Sequence, residues 1–461
     1  MICSYLASES NSNSIALDII PQIPSSGPLG HLKAYVADPL KFLQAQTQLH
    51  GGTFGFRLAG RHLVTTNEPD AVQSLLQSKH RDFRKNKAYR KLQLLLGQGL
   101  FTSEGDYWLQ NRRLIQPAFH REQILGYFQD MQYYAKQLVT NWRPACNTHQ
   151  AVPLTEDITQ VTLQIIAKTV LGLDLDQQAQ AVATHLPFAM QVMLKKITSP
   201  LASPMWLPTS TNRRFQKSVQ VLDRIISEII TDRRNTRVKG NDLLSSLLSL
   251  RDEDSGKGLS DLQLRDEMMT FFLAGHETTA VALSWTIYTL LQHPTWLAQL
   301  QQEILEGLPR DYQPEDLQRI PSLLPIIQES MRLLPPVWIL GREALGDTQM
   351  MEHHLPKGTS VIFSPYLIHR NPKYWEDPDE FKPHRFSQAG QIPSHKYAYF
   401  PFGGGPRLCI GNHFAVLEMQ VILAEILKNY RLSAKNLAHP GFEYSITLRP
   451  AKPLYLQLSS I

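Results

Sequence analysis

Cys409 sits in the run Phe402-Gly403-Gly404-Gly405-Pro406-Arg407-Leu408-Cys409-Ile410-Gly411. Glycines let a backbone turn tightly and present amide N–H groups to a sulfur. Such donors, with a cation two residues away, favour thiolate over thiol. A thiolate presented this way can bind a metal from one side. The other cysteines, Cys3 and Cys146, lie far off in sequence. A zinc or iron–sulfur site here would therefore lack its remaining ligands. The site that needs one cysteine and no more is haem iron with an axial thiolate. A cysteine alone beside a Gly-rich turn also reads as a buried structural residue.

A second constellation is Ala274-Gly275-His276-Glu277-Thr278-Thr279. A glycine, an acid and two threonines in mid-helix lower helix propensity. The Thr278 hydroxyl can bond the carbonyl four residues back, on Ala274, or open that bond and bend the helix. Gly275 removes bulk, so a ligand can approach the backbone. His276 reads as a polar-face residue without a chemical role. An exposed acid and a core threonine would give the same letters. Glu329 and Arg332 are three apart and share a helix face, as they would on any solvated helix. Trp108 and Arg112, at i and i+4, can point the same way. Arg342 and Arg407 complete a set of cations that could meet a dianion, or could be plain surface residues.

These groups need elements to hold them. Phe54–Leu58 and His62–Thr66, around Ala59-Gly60-Arg61, read as a hairpin. From about residue 69 to 310 the periodicity is mostly helical. Ile158, Val161, Ile165 and Thr169 form one face of a helix over 157–171 that stops at Gly172. Val219, Leu222, Ile225, Ile226 and Ile229 form a face of 213–235. A long helix covers 261–291, and residues 252–257 read as a polar loop. Leu333-Leu334-Pro335-Pro336 ends the helix carrying Glu329. Beyond it, Val337–Leu340, Thr359–Phe363, Tyr444–Leu448 and Leu454–Leu456 read as short β runs, with a helix at about 412–428. Residues 1–30 read as an irregular lead-in and 31–461 as one domain. The chain has 461 residues, 43% of them hydrophobic, and a net charge of +5 from 46 basic and 41 acidic side chains. That charge is too mild and dispersed for nucleic acid. Three scattered cysteines argue for a reducing compartment. The amino-terminal apolar stretches are too short for a membrane anchor or signal peptide. A cytoplasmic monomer is expected.

The patterns F-G-x-G-x-R-x-C-x-G, A-G-x-E-T and E-x-x-R resemble the cytochrome P450 family, and the resemblance runs along nearly the whole chain in family order. It implies a mainly α fold with small β-sheets (α+β), and haem b (iron protoporphyrin IX) held by Cys409. Trp108, Arg112, Arg342 and Arg407 would meet the propionates, with Ala274, Phe402 and Gly411 beside the macrocycle. Thr278 would hold dioxygen and relay protons, with Glu277 helping delivery. Arg385 would join Glu329 and Arg332 in a buried structural network, although His384 stands where most relatives have an acid.

The implied activity is monooxygenation of a lipophilic small molecule with O2. The lack of an anchor resembles the bacterial members. The chain ends about 50 residues after Cys409 without a flavin or iron–sulfur module, so a ferredoxin-type donor with its reductase is implied. Lys382, Arg385, Lys396 and Lys428 are candidates for its docking face. Substrate would meet Phe271, Phe272, Val337, Trp338, Ile339, Leu340 and Ile446. That apolar set favours a terpenoid or carotenoid. A fatty acid comes next, its carboxylate met by Arg57, Arg84, Lys85 or Lys87. Rival readings are a peroxide-driven peroxygenase, a haem-thiolate isomerase or dehydratase, and a haem sensor or carrier. The first two would usually depart from the acid–threonine pair, and a sensor needs no proton relay.

Overall fold

A computed structural model describes residues 20–461 except 26, 87, 174–176, 199–202, 237–239, 253–255, 388–389 and 391. Cys3, Lys87, most of the lead-in and the middle of the 252–257 loop lie outside the described residues. The elements that bear on the site are strands β1 (Thr53–Leu58), β2 (Arg61–Thr66), β3 (Phe83–Lys85), β4 (Leu340–Ala344), β5 (Ser360–Phe363), β6 (Phe442–Tyr444) and β7 (Leu448–Pro450). The helices are α1 (Gly105–Ile115), α2 (Phe128–Asn147), α3 (Leu154–Leu171), α4 (Gln177–Thr198), α5 (Ser210–Thr236), α6 (Asp261–Gln292), α7 (Leu323–Leu333) and α8 (Asn412–Asn429).

The hairpin forms as its sequence demands. β1 and β2 pair antiparallel from Thr53–Thr66 to Leu58–Arg61. The two turn residues, Ala59 and Gly60, both take positive φ, 43° and 81°, the geometry that matches strand twist. The strands order as β1-β2-β5-β4-β3, with β2 and β5 parallel and the other pairs antiparallel.

Helix α6 runs through the middle of the protein. Its start is fixed by a capping box between Ser260 and Gln263. Apolar residues surround it, because it is packed on nearly every side. Ile158, Val161, Ile165 and Thr169 of α3 are all buried. A Cβ on Gly275 would lie 2.4 Å from Ile166 Cδ1. Gly275 therefore serves close packing of α3 on α6. His276 is buried too, its ring Nδ1 2.8 Å from the Phe272 carbonyl. That corrects the polar-face reading: His276 sits in the α3–α6 packing, while Glu277 and Thr278 are half-buried.

Two β readings shift. Val337–Ile339 is irregular, and the strand begins at Leu340, so Arg342 lies within β4 rather than after it. Tyr444–Leu448 is two strands joined by a turn at 445–447, not one run. In both cases backbone partners decide where pairing starts. Among the described residues, no helix is long and apolar enough to cross a membrane.

Candidate active site

A cavity of about 330 Å³ opens between α6 and the cysteine loop. Cys409, Phe402, Gly411 and Ala274 border it, and so do Trp108, Arg112, Arg342 and Arg407. Glycine makes the loop possible. Gly405 has φ 65°, and a Cβ there would lie 1.7 Å from the Leu76 carbonyl oxygen. The Cys409 amide donates to the Phe402 carbonyl at 3.0 Å, closing the loop.

Burial pushes the Cys409 thiol up, against the pull of the Gly411 backbone and of Arg112. The cation acting on the sulfur is thus Arg112, not the nearby Arg407. Arg407 turns away: it pairs with Glu104, donates to the Ser103 carbonyl at 3.1 Å and lies 4.0 Å over the Trp108 ring. Burial pulls Arg407 down to about 10, opposed by Glu104, with Arg342 and Arg112 adding repulsion. Lys85, on β3 opposite Arg342, lines the same end, and burial and Arg407 hold its pKa well below normal. Sequence spacing gives no sign of Glu104 here, and Lys85, expected only to meet a fatty-acid carboxylate, joins this cluster of arginines.

On the far side, the Thr278 hydroxyl donates to the Ala274 carbonyl at 2.6 Å. Glu277 Oε1 accepts from Thr447 Oγ1 at 2.5 Å and pairs with Arg449 Nη2 at 2.6 Å. Nothing near Glu277 in the chain points to Arg449, 172 residues away. Phe271, Val337, Ile339, Leu340 and Ile446 line the cavity. Phe272 and Trp338 do not border it and are corrected. Phe272 is buried 2% exposed in the core. Trp338 packs on Tyr444 at 5.2 Å between ring centroids, and its Nε1 donates to the Ser445 carbonyl at 3.1 Å. Of the carboxylate-binding candidates, Arg84 pairs with Glu343, and Arg57 does not border the cavity.

Below the site, Glu329 and Arg332 are fully enclosed and joined by bonds of 2.6 and 2.8 Å. Arg332 also donates to the His369, Pro378 and Glu380 carbonyls. Arg385 Nε stands 3.5 Å from Glu329, and its Nη2 donates to the Asp377 carbonyl. Arg385 is buried and leaves the list of docking cations, while Lys382 is paired with Asp377 and Glu380.

The sequence model of the Cytochrome P450 family matches residues 21–458. This chain belongs to the cytochrome P450 family. It is similar to the Cyclooctat-9-en-7-ol 5-monooxygenase of Streptomyces melanosporofaciens, 32% identical over 89% of this chain and 88% of the relative. It is 30% identical to Cytochrome P450 4X1 of Homo sapiens over 96% of this chain and 90% of the relative. The crystal structure of the cytochrome P450DA heme domain superposes with a TM-score of 0.88, at 30% identity over 96% of this chain and 97% of that one. The P450 is an oxidoreductase, and its cofactor is haem b. The residues present fit that group. Four cations, Lys85, Arg112, Arg342 and Arg407, border the cavity and outnumber the acids Glu104 and Glu267 beside them, matching two propionates, and Cys409 and Ala274 border the same cavity.

Proposed function

We propose that this P450 monooxygenase acts on a largely apolar small molecule, a terpenoid or carotenoid before a fatty acid, with electrons from a ferredoxin-type donor and its reductase. The observation that carries the reading is the cavity that joins Cys409, the Glu277–Thr278 pair and an apolar wall of Phe271, Val337, Ile339 and Ile446. Haem b with a thiolate ligand supplies the oxidising chemistry. Cys409 would be the ligand, and Trp108, Arg112, Arg342, Arg407 and Lys85 would hold the carboxylates. Thr278 holds a proton on Oγ1 next to the cavity and can pass it on when it leaves the Ala274 carbonyl. Glu277 Oε2, which no described side chain hydrogen-bonds, takes a proton from solvent and passes it on to replenish Thr278. The apolar wall positions the substrate and excludes water. The protein works as a cytoplasmic monomer, with 31–461 as one unit behind the lead-in.

Apolar burial supports the substrate class. At about 25 cal/mol per Å², a terpenoid gains micromolar binding without an ion pair. Arg84 is already paired and Arg57 does not border the cavity, which leaves Lys85 as the one cavity-lining cation among the described fatty-acid candidates. The relative named for cyclooctat-9-en-7-ol acts, by that name, on an alkenol. The retained Glu277–Thr278 pair supports oxygen-driven over peroxide-driven turnover.

Farnesol and dodecanoic acid should be compared by the haem spectral shift and then by product formed with NADPH, ferredoxin and reductase. Farnesol should shift the spectrum at lower concentration and be oxidised. A shift with charged compounds alone would overturn the apolar reading. Turnover with peroxide but not with NADPH would overturn the monooxygenase route.

A further inference from the structure

We propose that Arg449, with Thr447, is a positioning residue for Glu277, holding Oε1 from the carboxy-terminal hairpin so that Oε2 alone serves the cavity. This rests on the reading of Glu277 as the acid that replenishes Thr278.

Three donors converge on one carboxylate oxygen. Thr447 Oγ1 lies 2.5 Å from Oε1, Arg449 Nη2 2.6 Å and Arg449 Nε 3.0 Å. Bonds from a guanidinium to a carboxylate are charge-assisted, about twice as strong as neutral ones, and directional. They select one rotamer of a side chain that would otherwise sample several. The other oxygen has no hydrogen-bond donor among the described residues, and Glu277 lines the cavity.

The donors are themselves well placed. Thr447 ends the turn between β6 and β7, and Arg449 lies in β7. Trp285, about two turns beyond Glu277 on α6, donates from Nε1 to the Leu448 carbonyl at 2.7 Å. The Leu448 amide donates to the Pro336 carbonyl at 2.8 Å. Trp338 fixes Ser445 at the turn's other end. The hairpin is thus tied to the helix whose acid it holds.

Arginine keeps its proton in proteins, so Arg449 orients and does not relay. Its side chain is 34% exposed against 12% for Glu277, so the pair spans the wall between solvent and cavity. Ile446 of the same turn faces the substrate space. Substrate that presses on Ile446 therefore presses on the segment that aims the acid.

The test uses purified holoenzyme with NADPH, ferredoxin and reductase. Farnesol is the probe, or dodecanoic acid if only that shifts the haem spectrum. Arg449→Met, Arg449→Lys, Thr447→Val and Glu277→Gln are compared. Haem content, the reduced carbon-monoxide band, probe affinity, peroxide yield and the solvent deuterium isotope effect are read. Arg449→Met should keep haem, band and affinity. Its share of electrons lost to hydrogen peroxide should rise on the order of tenfold, part of what acid–base delivery is worth. The isotope effect on kcat should grow, and Arg449→Lys should restore most of the coupling. A purely structural arginine would change haem loading and leave the isotope effect alone. Wild-type coupling in Arg449→Met, while Glu277→Gln uncouples, would overturn the proposal. Unchanged coupling in Glu277→Gln would instead overturn the reading of Glu277 itself. Should Arg449→Met fail to load haem, Thr447→Val, which removes one donor at constant shape, decides by the same peroxide and isotope readings.

Discussion

Glu267 shows how far burial can move a single group. It lies on α6 with no exposure, and its Oε2 accepts the Leu100 amide at 3.0 Å. Oε1 is enclosed without a partner. Burial raises its pKa to about 8, with Asp266 adding to the rise and the Leu100 amide and Lys85 opposing it. The carboxyl is therefore neutral at pH 7 in the fold but ionised in the unfolded chain. Between about 4.5 and 8 the folded state binds more protons, so stability falls as pH rises through that window. Glutamine imitates the neutral acid. Glu267→Gln should match wild type at pH 4.5 and unfold later at pH 8, with the gap opening by at most about 1.4 kcal/mol per pH unit. Thermal unfolding followed across that range checks it, and a gap that closes with rising pH would refute it.

Within an element, phase separates chemistry from packing. Neighbours on a helix point about 100° apart. On α6 this turns Phe271 toward the cavity, where its ring lies 5.0 Å from that of Phe119, and buries Phe272 in the core. The two should fail differently. Phe271→Ala should weaken farnesol binding about tenfold, roughly the value of the contact area lost, and also lower stability, because the ring is itself buried. Phe272→Ala should cost about 3–5 kcal/mol and leave affinity alone, because the void opens in the core. Spectral titration and thermal unfolding on both variants separate the cases. Equal loss of affinity in both would mean that Phe272 reaches the substrate.

Across the whole molecule, the Glu329–Arg332–Arg385 network ties α7 to the 369–385 segment that leads into the cysteine loop. The Phe400 amide donates to His369 Nε2 at 2.9 Å, two residues before Phe402. Burial, with Arg332 and Arg370 nearby, lowers the His369 pKa to about 3, so the ring stays neutral and accepts. Glu329→Ala would strand Arg332 among carbonyls with no counter-charge. Such a loss costs about 3–5 kcal/mol out of a typical total of about 5–15. The variant should yield little haem-loaded protein and unfold early. Full haem loading with normal heat stability but lost activity would give Glu329 a chemical role instead.

What depends on near neighbours in the chain was legible in the sequence. The cysteine loop, the Thr278–Ala274 bond, the Glu329–Arg332 pair, the Ala59-Gly60 turn and the helix faces of α3 and α5 follow from spacing and backbone sterics. The depth of His276, the packing duty of Gly275 and the withdrawal of Phe272 and Trp338 from the cavity needed the packed molecule. So did the union of Lys85, Glu104, Arg342 and Arg407, and the grip of Arg449 on Glu277, 172 residues apart. The physical reason is that periodicity tells a residue which face it occupies. Which distant segment covers that face is settled only when the chain closes on itself and excludes water.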